Sequence, residues 1–271
     1  MKVIDIHQHL MMFDPTGDVL VRYLDTNGIE KAVVIGCTYY CQSNDTTRKA
    51  VRRHPDRLIG GAYVDPRDLQ ASLRTVREYH QDGFKVIKMF PCFGFYPDDP
   101  AIYPVYALME ELGMVLLNHA GGVPHDDPVV VTPGFLRPEG VSIKYDLPWH
   151  YDAPARCFPK LTFILAHMGL ATWNLPDIFY QVSRHPNLYL DTSCGLALRA
   201  MREIARVKNQ YIWPLDFSKL LWGHDGYSVA CAEKPAPRVQ AEQQAVREMV
   251  QDEATLSLIM YENAKRLLAL A

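Results

Sequence analysis

Eight short apolar runs, each followed by a stretch with helical spacing or turn residues, constrain this chain more than any other feature. The runs fall within 1–10, 32–36, 58–64, 84–90, 114–119, 161–166, 188–191 and 220–223. Most lack polar alternation, which suits strands buried on both faces of a parallel sheet. Between them, 17–27 carries Val19, Leu20, Tyr23 and Leu24 at helical spacing, and 43–54, 100–112, 175–184 and 196–209 also read as helices. Asp65 is expected to cap a further helix, with Pro66 in its first turn, that runs to Gln81. Two or three helices finish the chain, the last over 261–270. Gly28, Gly83 and Gly113 stand where helices must stop. His54-Pro55-Asp56-Arg57-Leu58, Phe158-Pro159-Lys160-Leu161 and His185-Pro186-Asn187-Leu188 each join a helical stretch to a strand, proline ending one and leucine entering the other.

Strands alternating with helices mean parallel βαβ units. Eight such units in 271 residues predict an α/β fold, a (β/α)8 TIM barrel forming a single domain over 1–271. The competing architecture, an open doubly wound sheet, would more often place a glycine-rich phosphate loop after the first strand. Here that position holds His7-Gln8-His9. The rhythm stretches only over 121–155, where six prolines and four glycines with no periodicity predict a long lid loop after strand five.

Net charge is −3 and no basic run is present, which argues against a nucleic-acid partner. No apolar segment reaches membrane-spanning length and the first residues lack the marks of a signal peptide, so a cytoplasmic protein without a membrane partner is expected. Six scattered cysteines without a Cys-x-x-Cys pair read as free thiols. A homo-oligomer is neither required nor opposed by the sequence.

The polar residues at the strand ends carry the chemistry. On a strand, positions i and i+2 share a face, so His7 and His9 can aim at one point. Lys88 lies near the end of strand four, His119 ends strand five, His167 ends strand six and Asp225 follows strand eight. In a barrel these ends gather at the C-terminal mouth, where active sites form. Imidazole and carboxylate groups converging there point to a divalent metal.

These stretches resemble the amidohydrolase superfamily, and within it the amidohydrolase-2 branch of metal-dependent hydrolases and aminocarboxymuconate-semialdehyde decarboxylase-like enzymes. The resemblance rests on Asp5-Ile6-His7-Gln8-His9, Ile164-Leu165-Ala166-His167-Met168-Gly169, Trp222-Gly223-His224-Asp225 and Glu262-Asn263-Ala264-Lys265-Arg266-Leu267-Leu268. Asp225-Gly226-Tyr227 departs from the Asp-Tyr-Pro common in that branch. The resemblance implies an enzyme with His7, His9, Lys88, His119, His167 and Asp225 at its metal site, and Asp225 and His167 as its catalytic residues. Val86-Ile87-Lys88-Met89-Phe90-Pro91 is similar to the strand-four lysine stretch of two-metal members, which implies a carboxylated Lys88 bridging two ions. If Lys88 is unmodified, one ion is held by His7, His9, His119 and Asp225, and His167 is left as an acid or base. Zinc is the expected ion, and manganese or iron accept the same donors. The expected reaction is hydrolysis of an amide, lactone or ester of a small carboxylate-bearing substrate. The alternative is non-oxidative decarboxylation of an aromatic or enol acid. Arg137, Tyr145, Trp149 and Phe93 are expected to bind the substrate, since aromatic rings and a cation suit a planar acid.

Overall fold

The computed structural model describes residues 1–37, 41–121, 142–170, 175–207, 216–250 and 252–270. Eight strands form one sheet, each parallel to the next in chain order. They are β1 (Ile4–His9), β2 (Lys31–Ile35), β3 (Leu58–Tyr63), β4 (Val86–Met89), β5 (Val115–Asn118), β6 (Thr162–Leu165), β7 (Leu188–Asp191) and β8 (Leu220–Leu221). The sheet turns back on itself where the Ile6 amide donates to the Trp222 carbonyl at 3.0 Å and the Asp225 amide to His7 at 2.8 Å. The result is a TIM barrel, not an open sheet.

Alternation along the strands sorts the core into two layers. Ile4, Ile6, Val33, Ile35, Ile59, Val86, Val115, Leu117, Ile164, Tyr189 and Leu221 fill the barrel interior, whose lower end is plugged by Tyr261, Ala264 and Leu268. Their neighbours Ala32, Val34, Ile87, Leu116, Phe163, Leu165, Leu188 and Leu190 face outward, under the helices. Both faces are dry, which is why the strands read as unbroken apolar runs.

Strand β1 carries an irregularity. Its pairing with β2 steps from Asp5↔Ala32 to Gln8↔Val34, so one extra residue is accommodated between them. Such a bulge re-phases the side chains. Strict alternation from Ile4 and Ile6 would send His7 outward, whereas the bulge brings His7 and His9 to the interior.

Close packing is tightest where β3 meets the outer layer. A Cβ added at Gly60 would overlap the ring of Phe84, which is buried. Gly60→Ala is expected to destabilise the protein by about 1–3 kcal/mol through this overpacking. A urea melt would read the loss, and an unchanged midpoint would contradict the packing described.

One helix starts later than the sequence suggests. Asp65 does not cap it: its carboxylate accepts from the Arg67 amide and guanidinium, and its carbonyl accepts from the Asp68 amide in a turn. Asp68 takes the cap instead, accepting from Ala71 at 2.9 Å, and the helix spans Leu69–Gln81. Two aspartates compete for one helix start, and the one with an arginine two residues on is drawn away from it. The helix expected over 196–209 spans Cys194–Val207. The chain ends through Glu253–Ser257, a π turn at Leu258–Glu262 and Asn263–Leu267. Of the segment expected as a lid, 122–141 lie outside the described residues. Over 142–155 the chain forms two 3-10 turns, Ile143–Tyr145 and Pro148–Tyr151, and the start of a helix at Asp152–Cys157. Among the described residues no disulfide is formed, and no helix is long and apolar enough to cross a membrane.

Candidate metal centre

Alternation places Lys88, two residues beyond Val86, and His119, two beyond Leu117, at the inner mouth of the barrel. His167 reaches the same place by a different route. Strand β6 would send it outward, but the chain takes left-handed angles at His167, Met168 and Gly169, φ 59°, 53° and 64°, which swing the imidazole back over the barrel. Asp225 is also left-handed, φ 57°. Aspartate tolerates that region better than most residues. The turn is held by the Asp225 amide on His7, by Arg238 donating to the Asp225 carbonyl at 3.1 Å, and by the Gly226 amide on Gln8 Oε1 at 3.0 Å.

The six sequence-predicted metal-site residues therefore meet. Asp225 Oδ1 lies 3.8 Å from Nε2 of both His7 and His9, and Asp225 Oδ2 lies 3.9 Å from His167 Nε2. His167 Nε2 is 3.2 Å from His119 Nδ1, and Lys88 Nζ donates to His7 Nε2 at 3.1 Å. Donor atoms that share one ion at bond lengths of about 2.0–2.2 Å stand about 3–4 Å apart, so these residues fit a divalent cation. His7, His9 and Asp225 form one such set, their donor atoms all within 4.8 Å of one another.

A second set, His7, His167 and Asp191, is closed by a hydroxyl. Ser193 Oγ donates to Asp191 Oδ1 at 2.5 Å and lies 2.8 Å from His167 Nδ1 and 3.1 Å from His7 Nδ1. Asp191 is the hub sequence reasoning missed. Its Oδ1 also accepts from the His167 and Ser193 amides at 2.8 and 3.0 Å, and its Oδ2 holds His7 Nδ1 at 2.8 Å. The available signal was that Asp191 follows Tyr189 by two on an inward-facing strand. Asp5 and Gln8 were missed as well. Asp5 Oδ1 accepts from the His7 and His224 amides, and Gln8 Nε2 donates to Asp5 Oδ2 at 2.7 Å. His224 turns outward to Glu242.

Burial sets the charge states. It lowers His7, His9 and His167 well below the ordinary imidazole range, and it brings His119 down to about 3, with the Lys88 charge acting in the same direction. Neutral imidazole is the form that ligates metals. Burial also lowers Lys88, against the pull of Asp225 and Asp191. It raises Asp225 to about 6, with Lys88 opposing.

Of the residues expected to bind substrate, Phe93 is linked to this centre through Phe90. Phe93 is buried and stacks on Phe90, whose ring in turn stacks on His119 at 5.4 Å and lies 6.3 Å from His9. Tyr145 packs on Tyr96 at 4.6 Å. Trp149 is 62% exposed and lines a cavity of 490 Å³ with Asp146, Arg156, Arg184 and His185, whose described lining includes none of the six metal-site residues. Arg137 lies outside the described residues.

The Amidohydro_2 family model, described as amidohydrolase, matches residues 4–270. Solved structures share the fold over nearly the whole chain. An uncharacterised TIM-barrel protein from Bordetella bronchiseptica is 18% identical at a TM-score of 0.69, covering 99% of both chains. A probable 2-pyrone-4,6-dicarboxylic acid hydrolase from Acinetobacter baumannii, with citric acid bound, is 16% identical at 0.65, covering 100% of both. A 5-carboxyvanillate decarboxylase from Novosphingobium aromaticivorans, complexed with manganese and a nitrobenzoic acid, is 19% identical at 0.64, covering 94% of this chain and 80% of its own. No curated protein matches the sequence. A barrel with imidazoles and a carboxylate gathered at its mouth, and a family match over all its strands, defines the class: this chain belongs to the amidohydrolase family. The solved structures that share its architecture include both a probable hydrolase and a decarboxylase.

Proposed function

We propose that the chain is a metal-dependent hydrolase that cleaves an amide, lactone or ester of a small carboxylate-bearing substrate. The observation that carries this reading is the convergence of His7 Nε2, His9 Nε2, His119 Nδ1, His167 Nε2 and Asp225 on one small volume at the barrel mouth. In this reading His7, His9, His119 and Asp225 hold the ion, zinc first, with manganese and iron accepted by the same donors. In the binuclear form His7, His9 and Asp225 would hold one ion and His119 and His167 the other, with a carboxylated Lys88 shared between them. An intact-protein mass heavier by one CO2 distinguishes it.

The ion, when bound, supplies Lewis acidity to a substrate carbonyl and to water. The chain's own residues do the rest. Asp225 takes the proton of the attacking water on its carboxylate and returns it to the leaving group. His167, 3.9 Å from Asp225 Oδ2 and held at Nδ1 by Ser193, is the second proton carrier. Phe90, packed flat on His119, keeps that side of the site dry. Arg137, Tyr145, Trp149 and Phe93 contribute the substrate pocket.

Decarboxylation of an aromatic acid is the second reading. It is favoured by the aromatic wall of Tyr63, Phe90 and Phe93 beside His9 and His119, which suits a planar ring. Assays of the metal-loaded enzyme for acid release from lactones and amides, and for CO2 release from hydroxybenzoates, separate the two. Metal-loaded protein active in neither would end both.

Asp191 gives a test of the metal site itself. Its Oδ1 must remain an acceptor for two amides, so in Asp191→Asn the new amide nitrogen faces His7 Nδ1. That pushes the ring proton to Nε2, where the lone pair is needed. Metal affinity is expected to fall about 10–100-fold, read by competition with a chromogenic chelator. Unchanged affinity would remove His7 from the ligand set.

A further inference from the structure

The third candidate group, Cys92, His119 and Asp146, lies on the opposite side of the His119 ring from the metal centre. We propose that Asp146 is a positioning residue: its carboxylate accepts the Nε2 proton of His119 and so presents the Nδ1 lone pair to the metal. This rests on the reading of His119 as a ligand given above, and it assigns a role to a residue outside the predicted site.

Two orphaned atoms face each other. Among the described residues neither His119 Nε2 nor Asp146 Oδ2 has a hydrogen-bond partner, although both are buried. They stand 3.9 Å apart. A buried polar atom without a partner is costly, and one movement of about 1 Å would satisfy both at ordinary hydrogen-bond length. On the other face, His119 Nδ1 lies 3.2 Å from His167 Nε2, inside the group of donors. Metal-bound histidines generally give their second ring proton to a carboxylate, a backbone carbonyl or water, and that partner fixes both tautomer and orientation. Asp191 stands in this relation to His7 at 2.8 Å, and Asp146 stands ready for it toward His119.

Asp146 is anchored by the backbone around it. Its side chain is fully buried. Its Oδ1 accepts from the Cys92 amide at 2.7 Å, and the Ser142 amide donates to the Cys92 carbonyl at 2.9 Å. The stretch after β5 is thus stitched to the turn after β4, and the carboxylate it delivers meets the imidazole that ends β5. The described part of the segment between strands five and six would then complete the metal centre.

The anchoring of Oδ1 makes the test sharp. In Asp146→Asn the oxygen stays on the Cys92 amide, so the amide nitrogen must face His119 Nε2. It would donate where the carboxylate accepts, moving the ring proton to Nδ1 and removing the ligand lone pair. Asp146→Ala only removes the acceptor. The dissociation constant for Zn²⁺ or Mn²⁺ is measured for the wild type, Asp146→Asn, Asp146→Ala, His119→Ala and the His119→Ala double variants, with circular dichroism reporting the fold. Asp146→Asn is expected to weaken binding at least about tenfold, and at least as much as Asp146→Ala. In the His119→Ala background either change is expected to add less than about twofold, because the two residues act through one ligand. A purely structural role gives the reverse order, since Asn keeps the Cys92 bond, and adds fully to His119→Ala; that result overturns the proposal. So does a second equivalent of metal lost on Asp146→Asn, which would make Asp146 a direct ligand. If His119→Ala itself leaves affinity unchanged, the fault lies in the assignment of His119 as a ligand. Should Asp146→Asn fail to fold, the comparison of Asp146→Ala in the two backgrounds decides alone.

Discussion

Asp225→Asn is expected to retain most of the metal and to lose about 10²–10⁴-fold in kcat, the range general acid–base groups supply. The amide keeps an oxygen for the ion but cannot take a proton. Its backbone should not move, because the left-handed turn is fixed by the His7 carbonyl, Arg238 and Gln8 and not by the carboxylate. The measurement is kcat beside metal content on the same preparation. Wild-type turnover in a metal-loaded variant would end the role of Asp225 as base. Loss of metal together with turnover would show it to be chiefly a ligand.

Removing the ion is the second large effect. Dialysis against a strong chelator is expected to abolish activity, with recovery on adding back zinc or manganese. The same treatment is expected to lower the melting temperature by about 5–10 °C, since saturation near a hundred times Kd is worth about 2.7 kcal/mol and each kcal/mol moves a chain of this size by roughly 2–4 °C. The physical reason is the unusual density of uncharged imidazole at the barrel mouth. His7, His9, His119 and His167 are held neutral by burial within a few ångströms of one another, so a cation finds several uncharged donors already gathered. Identical melting curves with and without chelator, in protein shown to have carried metal, would argue against a resident ion.

How much of this could be read from the chain follows from what each signal depends on. Strands buried on both faces leave unbroken apolar runs, so β1 to β8 and their order were legible, and the strand ends marked His7, His9, Lys88, His119, His167 and Asp225. Two of these reached the centre for reasons the pattern does not contain. His7 depends on a bulge in β1, and His167 on left-handed backbone past β6. Asp191 and Asp146 escaped notice because a carboxylate that steadies an imidazole is defined by its partner across the barrel, not by its own neighbours. Asp191 meets a histidine 184 positions away in sequence. The start of the helix at Leu69 was misread because Asp65 and Asp68 are both good caps, and the choice is made by Arg67, whose guanidinium claims the first. The substrate residues were the least legible, since an aromatic side chain in a proline-rich stretch looks the same whether it packs inward or greets a ligand.

The plug formed by Tyr261, Ala264 and Leu268 has a consequence for biosynthesis. These three residues follow all eight strands in the sequence. Synthesis from the amino end therefore makes the staves of the cylinder before its stopper, and Ile4, Val33, Val86 and Leu221 are covered from below only once that later stretch has emerged.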